Sequence, residues 1–237
     1  MCSIVLRIDE TGICIGANRD EMLNRPWQLP ACHWPELPFV VAGRDTLAGG
    51  TWLGLNAGGV VAAVLNRHGS LGPAPGLRSR GELPLIALRS PDAATAAAAI
   101  ARLDAGQYRS FNLVIADARS AFFCAGLTAG PPQVTPLNAG VWMITSGAPN
   151  DLSQPRIARY LPQFTAAPFA DWPALLADQS GDWDSALNIA PRGGFGTVSA
   201  ALLRLPRGGK PQWDFAPGPP DSAAFAPVSL PFGAYAA

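Results

Sequence analysis

Charge is scarce in this chain of 237 residues: only 14% are Asp, Glu, Lys or Arg, and 17 basic side chains offset 17 acidic ones. Such a balance gives neither the basic face of a nucleic-acid binder nor the polybasic patch of a membrane-surface module. Histidine is nearly absent. His33 and His68 are too few for most imidazole-based metal sites. The four cysteines, Cys2, Cys14, Cys32 and Cys124, lie far apart without Cys-x-x-Cys spacing, which excludes the usual zinc motifs. Cys14, Cys32 and Cys124 therefore read as small apolar residues of a reducing compartment. No apolar run approaches the roughly 20 residues of a spanning helix. The start of the chain lacks the basic and apolar regions of a secretory signal. The expectation is a cytoplasmic protein with no nucleic acid, no metal, no cofactor and no stable membrane insertion.

Apolar residues are plentiful, at 49% of the chain, so a substantial core is available. The reading is one domain over residues 1–237, with a Pro- and Ala-rich tail of poor order from about residue 217.

The first 21 residues carry the strongest local pattern. Apolar residues recur at every second position, at Ile4, Leu6 and Ile8 and again at Ile13, Ile15 and Ala17, which predicts a β-hairpin. Whether the loop is Glu10-Thr11 or Asp9 to Gly12, Ile8 falls opposite Ile13. Counting outward sets Leu6 against Ile15, Ile4 against Ala17 and Cys2 against Arg19. A thiol thus lies beside a guanidinium, with Asn18, Asp20 and Glu21 next to them.

Four prolines between residues 22 and 48 predict an irregular stretch, with a short strand at 39–42. Trp27 and Trp34 read as core. A second hairpin runs from Gly49-Gly50-Thr51-Trp52 through a glycine-rich turn at 56–59 to Leu65. Pairing Asn56 with Gly59 sets Asn66 opposite Gly49. Glycines at 49, 50 and 54 mark a close approach of main chains, either a sheet packed under a helix or a binding surface beside Trp52. Ser79 and Glu82 have capping-box spacing. Asp92 caps an alanine-rich helix to about residue 103. A third hairpin spans 111–125, a Pro/Gly loop 129–138, and a strand 141–145. Helices start at Ser153-Gln154-Pro155 and Asp171-Trp172-Pro173. A long strand follows at 195–205, with 213–215 as its partner. Hairpins grouped with helices, rather than strict βαβ alternation, predict an α+β fold of helices layered on antiparallel sheets.

Chemistry concentrates on Cys2. Loss of Met1 would place a thiol and an α-amine on one residue, giving nucleophile and base together. The amine titrates near 7.7–8.0 and suits a base near neutral pH. Arg19 would favour thiolate by its charge, Asp20 would hold Arg19 or the ammonium, and Asn66 would donate to an oxyanion. By itself, an Arg-Asp-Glu run after a strand is more often a solvated turn, and a second-position cysteine often has no role.

The blocks Met1-Cys2, Asn18 to Glu21 with Arg25-Pro26, Gly49-Gly50-Thr51-Trp52-Leu53-Gly54, Asn66-Arg67, Ser79-Arg80-Gly81, Phe111-Asn112-Leu113 with Asp117, and Phe195-Gly196-Thr197-Val198 together resemble the NRDE family. Its animal members are the transport-and-Golgi-organisation proteins. Gly147 stands after Ser146 where the family often has asparagine. The family is similar to N-terminal-nucleophile (Ntn) hydrolases, which implies a four-layer αββα sandwich and hydrolysis of a carbon–nitrogen amide bond, a thioester or an ester. The resemblance implies a small-molecule substrate or ligand. On that resemblance the candidate catalytic residues are Cys2, Arg19, Asp20 and Asn66. Asn112 is the second choice for the oxyanion. Asn18, Glu21, Trp52, Arg67, Arg80 and Asn112 are the candidate substrate contacts. The resemblance also supports an alternative, a non-catalytic haem or acyl-CoA/lipid carrier on the same fold.

Overall fold

The computed structural model describes residues 2–232. Met1 and residues 233–237 lie outside them, and with them the expected loss of Met1 and the end of the tail. The opening hairpin is β1 (Ser3–Asp9) and β2 (Gly12–Met22). Its register is the one the alternation predicts, with Ile8 opposite Ile13, Leu6 opposite Ile15 and Ile4 opposite Ala17. The loop is Glu10-Thr11, and Asp9 Oδ1 closes it by accepting from the Thr11 main-chain N–H at 2.8 Å and hydroxyl at 2.6 Å.

The stretch 22–48 is less irregular than its prolines suggest. It carries β3 (Trp27–Ala31) and β4 (Val40–Asp45), and Pro30 sits where the β3–β4 register shifts. The second hairpin is β5 (Leu53–Asn56) and β6 (Val61–Asn66). It pairs one residue out of the expected register, with Leu55 opposite Val61 and Leu53 opposite Ala63. The cause is the turn: Asn56 N–H donates to Val60 O at 3.0 Å around a three-residue loop, and Gly59 takes φ +81°. A three-residue loop with glycine in the left-handed region is a standard hairpin closure. It replaces the even-numbered pairing that set Asn66 against Gly49.

Helix α1 (Glu82–Ala87) starts without a side-chain cap. The Ser79–Glu82 capping box does not form: the helix begins at Glu82 with Gly81 as its N-cap, the Ser79 hydroxyl accepts from the Gly81 N–H at 3.2 Å, and Arg78 takes both Glu82 oxygens at 2.7 Å. Helix α2 (Ala93–Ile100) is capped as expected, with Asp92 accepting from the Thr95 N–H. Strands β7 (Phe111–Ala116) and β8 (Ala121–Gly126) form the third hairpin. Residues 129–138, expected as loop, include β9 (Gln133–Leu137). Then come β10 (Gly140–Ile144), α3 (Pro155–Ala166), α4 (Trp172–Leu176), β11 (Phe195–Pro206) and β12 (Gln212–Ala216). The tail beyond 217 is described as far as residue 232 and holds a short β13 (Ala226–Pro227) paired to β12.

The described chain divides into two compact units. Residues 2–25, 139–204 and 211–228 carry a six-stranded sheet in the order β10-β1-β2-β11-β12-β13. Val5 and Met143 from this sheet pack with Ile157, Tyr160 and Phe164 of α3 and Trp172 and Leu176 of α4. Arg7 secures the end of α3 by donating to the carbonyls of Phe164 at 2.5 Å and Ala167 at 2.7 Å, where a cation also meets the helix dipole favourably. Residues 26–138, 205–210 and 229–232 form the second unit, which carries a seven-stranded sheet in the order β3-β4-β5-β6-β7-β8-β9. Leu83, Ala87, Ala93, Ala96, Ala97 and Ile100 of α1 and α2 pack on Ala62, Leu113 and Ile115. Small alanines let α2 lie close to its sheet. Each unit is thus a layer of helices on an antiparallel sheet. Among the described residues, no helix is long and apolar enough to cross a membrane.

The glycines of the second hairpin serve packing. A Cβ on Gly54 would meet Ala42 Cβ at 2.7 Å and Leu88 Cδ1 at 2.8 Å, and one on Gly50 would enter the main chain of Gly81. Gly50→Ala should cost about 1–3 kcal/mol. Gly208→Ala, with open space around it, should stay within about 0.5 kcal/mol. Chemical denaturation of the two variants beside the parent checks both.

Candidate active site

Strand alternation divides the opening hairpin between two faces. Val5 lies in the core beneath α3 and α4, so Ser3 shares that face. Asn18, opposite Ser3, and Asp20 lie on it too. A Cβ on Gly16, on the same face, would touch the Trp172 ring at 3.0 Å. Ile4, Leu6, Ile13, Ile15 and Arg19 take the other face, where all five are buried. Arg19 and Asp20, adjacent in sequence, therefore send their side chains to opposite sides of the sheet.

Asp20 lies in a buried polar cluster. Its Oδ2 accepts from Arg156 Nη1 at 3.1 Å, with the two side chains 0% and 7% exposed. The same Arg156 nitrogen donates to Ser3 Oγ at 3.0 Å. Thr197 donates its hydroxyl to Asp20 Oδ1 at 2.7 Å and accepts from the Ile189 N–H at 2.8 Å. Asn18 is equally buried and donates its amide to the carbonyls of Leu176 at 2.9 Å and Leu187 at 3.1 Å. Its two amide hydrogens thus join β2 to the main chain beyond it.

Cys2 is half-buried, and its Sγ donates to the main-chain carbonyl of Asp20 at 3.5 Å. Burial pushes the thiol pKa up, and the Asp20 charge pushes the same way. The chain's ammonium, the Asp20 main-chain bond and, least of all, Arg19 pull it down without reversing the rise. Arg19 favours the thiolate, in the direction its charge implies, but its influence is the smallest of those acting on the thiol. Burial thus favours the neutral thiol over the thiolate, so attack calls for a base that takes its proton. Glu21 is half-exposed, accepting from the Met22 N–H at 2.9 Å and meeting Arg25 at 3.7 Å. An exposed pair of this kind contributes little.

The remaining predicted residues belong to the second unit. Asn66 ends β6, half-buried and opposite Phe111. Arg67 donates to Oδ1 of the fully buried Asn112 at 2.5 Å, and burial lowers the Arg67 pKa. Arg80 donates to Ser70 O at 2.6 Å, Ser70 Oγ at 2.8 Å and Ser110 O at 3.1 Å. It anchors the Gly/Pro loop before α1. Trp52 meets Trp27 edge-on at 5.6 Å, and its ring covers Gly43, where a Cβ would collide with it. Among the described residues, no group of three or more His, Cys, Asp or Glu is arranged to hold a metal ion.

Sequence reasoning missed Ser3, Thr197 and Arg156 as site residues. Thr197 lies in a block that already stood out, but Arg156 sits unmarked in the first turn of α3. At the position where the resemblance anticipates asparagine, Gln154 occupies the space a side chain on Gly147 would need. Its Oε1 accepts from the hydroxyls of Thr145 and Ser146, and its Nε2 donates to Asp151 Oδ2 at 3.2 Å.

The sequence matches the family described as Transport and Golgi organisation 2 over residues 1–167. It is 29% identical over 161 residues to a Mus musculus Transport and Golgi organization 2 homolog and over 163 residues to the Homo sapiens one. Each match covers 62% of this chain and 57% of the relative, so little more than half of each relative's length is spanned. The fold is similar to that of a Caenorhabditis elegans N-acylethanolamine-hydrolyzing acid amidase ortholog, with TM-score 0.60 at 12% identity, covering 86% of this chain and 92% of that one. It is also similar to a variant conjugated bile acid hydrolase from Clostridium perfringens (0.55, 12%, 97% of each chain) and to penicillin V acylase from Agrobacterium tumefaciens (0.52, 11%, 92% and 83%). These likenesses establish the αββα fold class.

The pH dependence of thiol chemistry follows from the burial. Iodoacetamide labelling of Cys2 should keep rising as pH passes the ordinary thiol value of 9.0 instead of levelling near neutrality. Cys124, with no exposure and a pKa pushed up to about 12 by burial, should label only after unfolding. Peptide mass spectrometry across a pH series reads both.

Proposed function

We propose that this chain, which belongs to the Transport and Golgi organisation 2 family, is an N-terminal-nucleophile hydrolase or acyl-transfer enzyme acting on an amide, thioester or ester of a small molecule. After loss of Met1, the α-amine of Cys2 accepts the thiol proton as Sγ attacks the carbonyl carbon. The tetrahedral intermediate carries its negative charge on the former carbonyl oxygen. The Asn66 amide donates to that oxygen, with Asn112 as the second choice. Collapse breaks the carbon–nitrogen or carbon–oxygen bond, or the carbon–sulfur bond of a thioester. The ammonium of Cys2 returns its proton to the leaving group, and a thioester remains on Sγ. Water, deprotonated by the same amine, then releases the acid and restores the thiol.

The observation that carries this reading is the position of Cys2. It lies one residue before the first ladder pair of β1, with Sγ on the Asp20 carbonyl, in a fold shared with an acid amidase, a conjugated bile acid hydrolase and a penicillin acylase. The raised thiol pKa fits a mechanism in which the proton leaves during attack. In this reading Arg19 supplies charge near the end of β2, and Asp20, held by Arg156 and Thr197, presents the carbonyl that receives the thiol. Asn18 holds β2 in place instead of touching substrate. Glu21, Trp52, Arg67 and Arg80 are assigned to the approaches of the substrate. The composition suits a cytoplasmic enzyme.

Intact mass of the purified protein should show Met1 removed. A β-lactone or other acyl electrophile should then add one acyl group at Cys2, and Cys2→Ala should abolish the adduct. Asn66→Ala should slow acylation by about 100-fold, the scale of one lost oxyanion donor. Acylation of protein that retains Met1 would rule out the amine as base.

A further inference from the structure

We infer that Arg156 is a positioning residue for the Cys2 nucleophile, because one of its guanidinium nitrogens bridges Ser3, the residue after the nucleophile, and the carboxylate of Asp20, whose main-chain carbonyl accepts from the Cys2 thiol. The inference rests on the reading of Cys2 as nucleophile and adds a residue from a helix 136 positions away from Asp20 in sequence.

The bridge acts in two ways. Mechanically, it ties both residues that flank the thiol to the first turn of α3. Ser3 follows Cys2 along the chain, and Asp20 receives its sulfur from across the hairpin. Thr197 on β11 holds the other Asp20 oxygen and is itself held by the Ile189 N–H, so the carboxylate is fixed from two elements. Electrically, the Asp20 charge raises the Cys2 pKa, while the chain's ammonium and Arg19 lower it. The negative charge of Asp20 opposes formation of thiolate. A guanidinium 3.1 Å from that carboxylate, in surroundings with little water to screen it, offsets the opposition. Arg156 therefore keeps Asp20 useful as a tether while limiting its cost to the thiol's reactivity.

The experiment measures iodoacetamide labelling of Cys2 from about pH 6 to pH 10, the span over which amine and thiol titrate. Wild type, Arg156→Gln, Arg156→Lys and Ser3→Ala are compared, with thermal melts to show that each is folded. Arg156→Gln keeps hydrogen-bonding capacity and loses the charge. Its profile should move to higher pH, with labelling at neutral pH falling about tenfold. Arg156→Lys restores the charge and should recover most of the loss. A folded Arg156→Gln with the wild-type profile, or one displaced to lower pH, overturns the inference. If Arg156→Gln does not fold, Ser3→Ala decides: it cuts only the far end of the bridge and should slow labelling about threefold at every pH, and unchanged labelling overturns the inference. Iodoacetamide needs only a thiol, so the result stands apart from the acyl probe. An inert acyl probe with an Arg156-dependent iodoacetamide profile defeats the hydrolase reading alone. Successful acylation with an Arg156-independent profile defeats this inference alone.

Discussion

The carboxylate of Asp20 has none of its surface in water, and a buried charge of that kind costs several kcal/mol unless donors surround it. Its donors come from widely separated parts of the chain: Arg156 from α3, and Thr197 from β11, 177 positions away. Ser3 on β1 joins through Arg156, and the Ile189 main chain joins through Thr197. The first hairpin, the first turn of α3 and the start of β11 must therefore meet for the charge to be tolerated at all. The nucleophile candidate stands on this arrangement, since Cys2 bonds to the main chain of the residue whose side chain the cluster holds.

Around that cluster, the first unit follows the ordinary logic of an antiparallel sheet with helices on one face. Arg156, Ile157, Tyr160 and Phe164 form the buried stripe of α3, so one helical face brings both the apolar core and the guanidinium to the sheet. The second unit repeats the layering with smaller side chains: the alanines of α2, and glycines at 50 and 54 where helix and strand close up. Its outermost strands, β3 and β9, contain Pro30 and Pro136. Proline cannot donate to a ladder, so it is tolerated at a sheet edge and discourages pairing with a further strand.

Those same prolines account for the main misreadings of the fold. Residues 27–31 and 133–137 look like loop because proline interrupts strand propensity, whereas an edge strand needs only one side of its hydrogen bonds. The one-residue slip in the second hairpin comes from a three-residue loop that glycine-rich composition cannot distinguish from a two-residue one. The Ser79 capping box fails because the helix starts three residues later, with Gly81 as N-cap, and Arg78 holds the Glu82 carboxylate. By contrast, the hairpins at 3–22 and 111–126 and the Asp92 cap were legible, because each depends on neighbours within a few residues. Candidate site residues were legible where they clustered in sequence, at Cys2 and at Asn18 to Glu21. Arg156 was not, because a lone arginine at a helix start resembles any solvated one.

What the amino-acid sequence determined by itself is the alternation and turn of the first hairpin, and through them the setting of Cys2 at the end of β1 across from the Asn18–Glu21 run. Strand period and a two-residue turn are short-range constraints, so they hold whatever the rest of the chain does. Tertiary structure alone decided which charges act on that thiol and in which direction. It half-buried Cys2, brought the Asp20 charge to bear on it, gave Asp20 its guanidinium from α3, and left Arg19 the smallest influence. Desolvation and Coulomb interactions depend on distance in space, and the donors that hold Asp20 in place are separated from it by well over a hundred residues of chain.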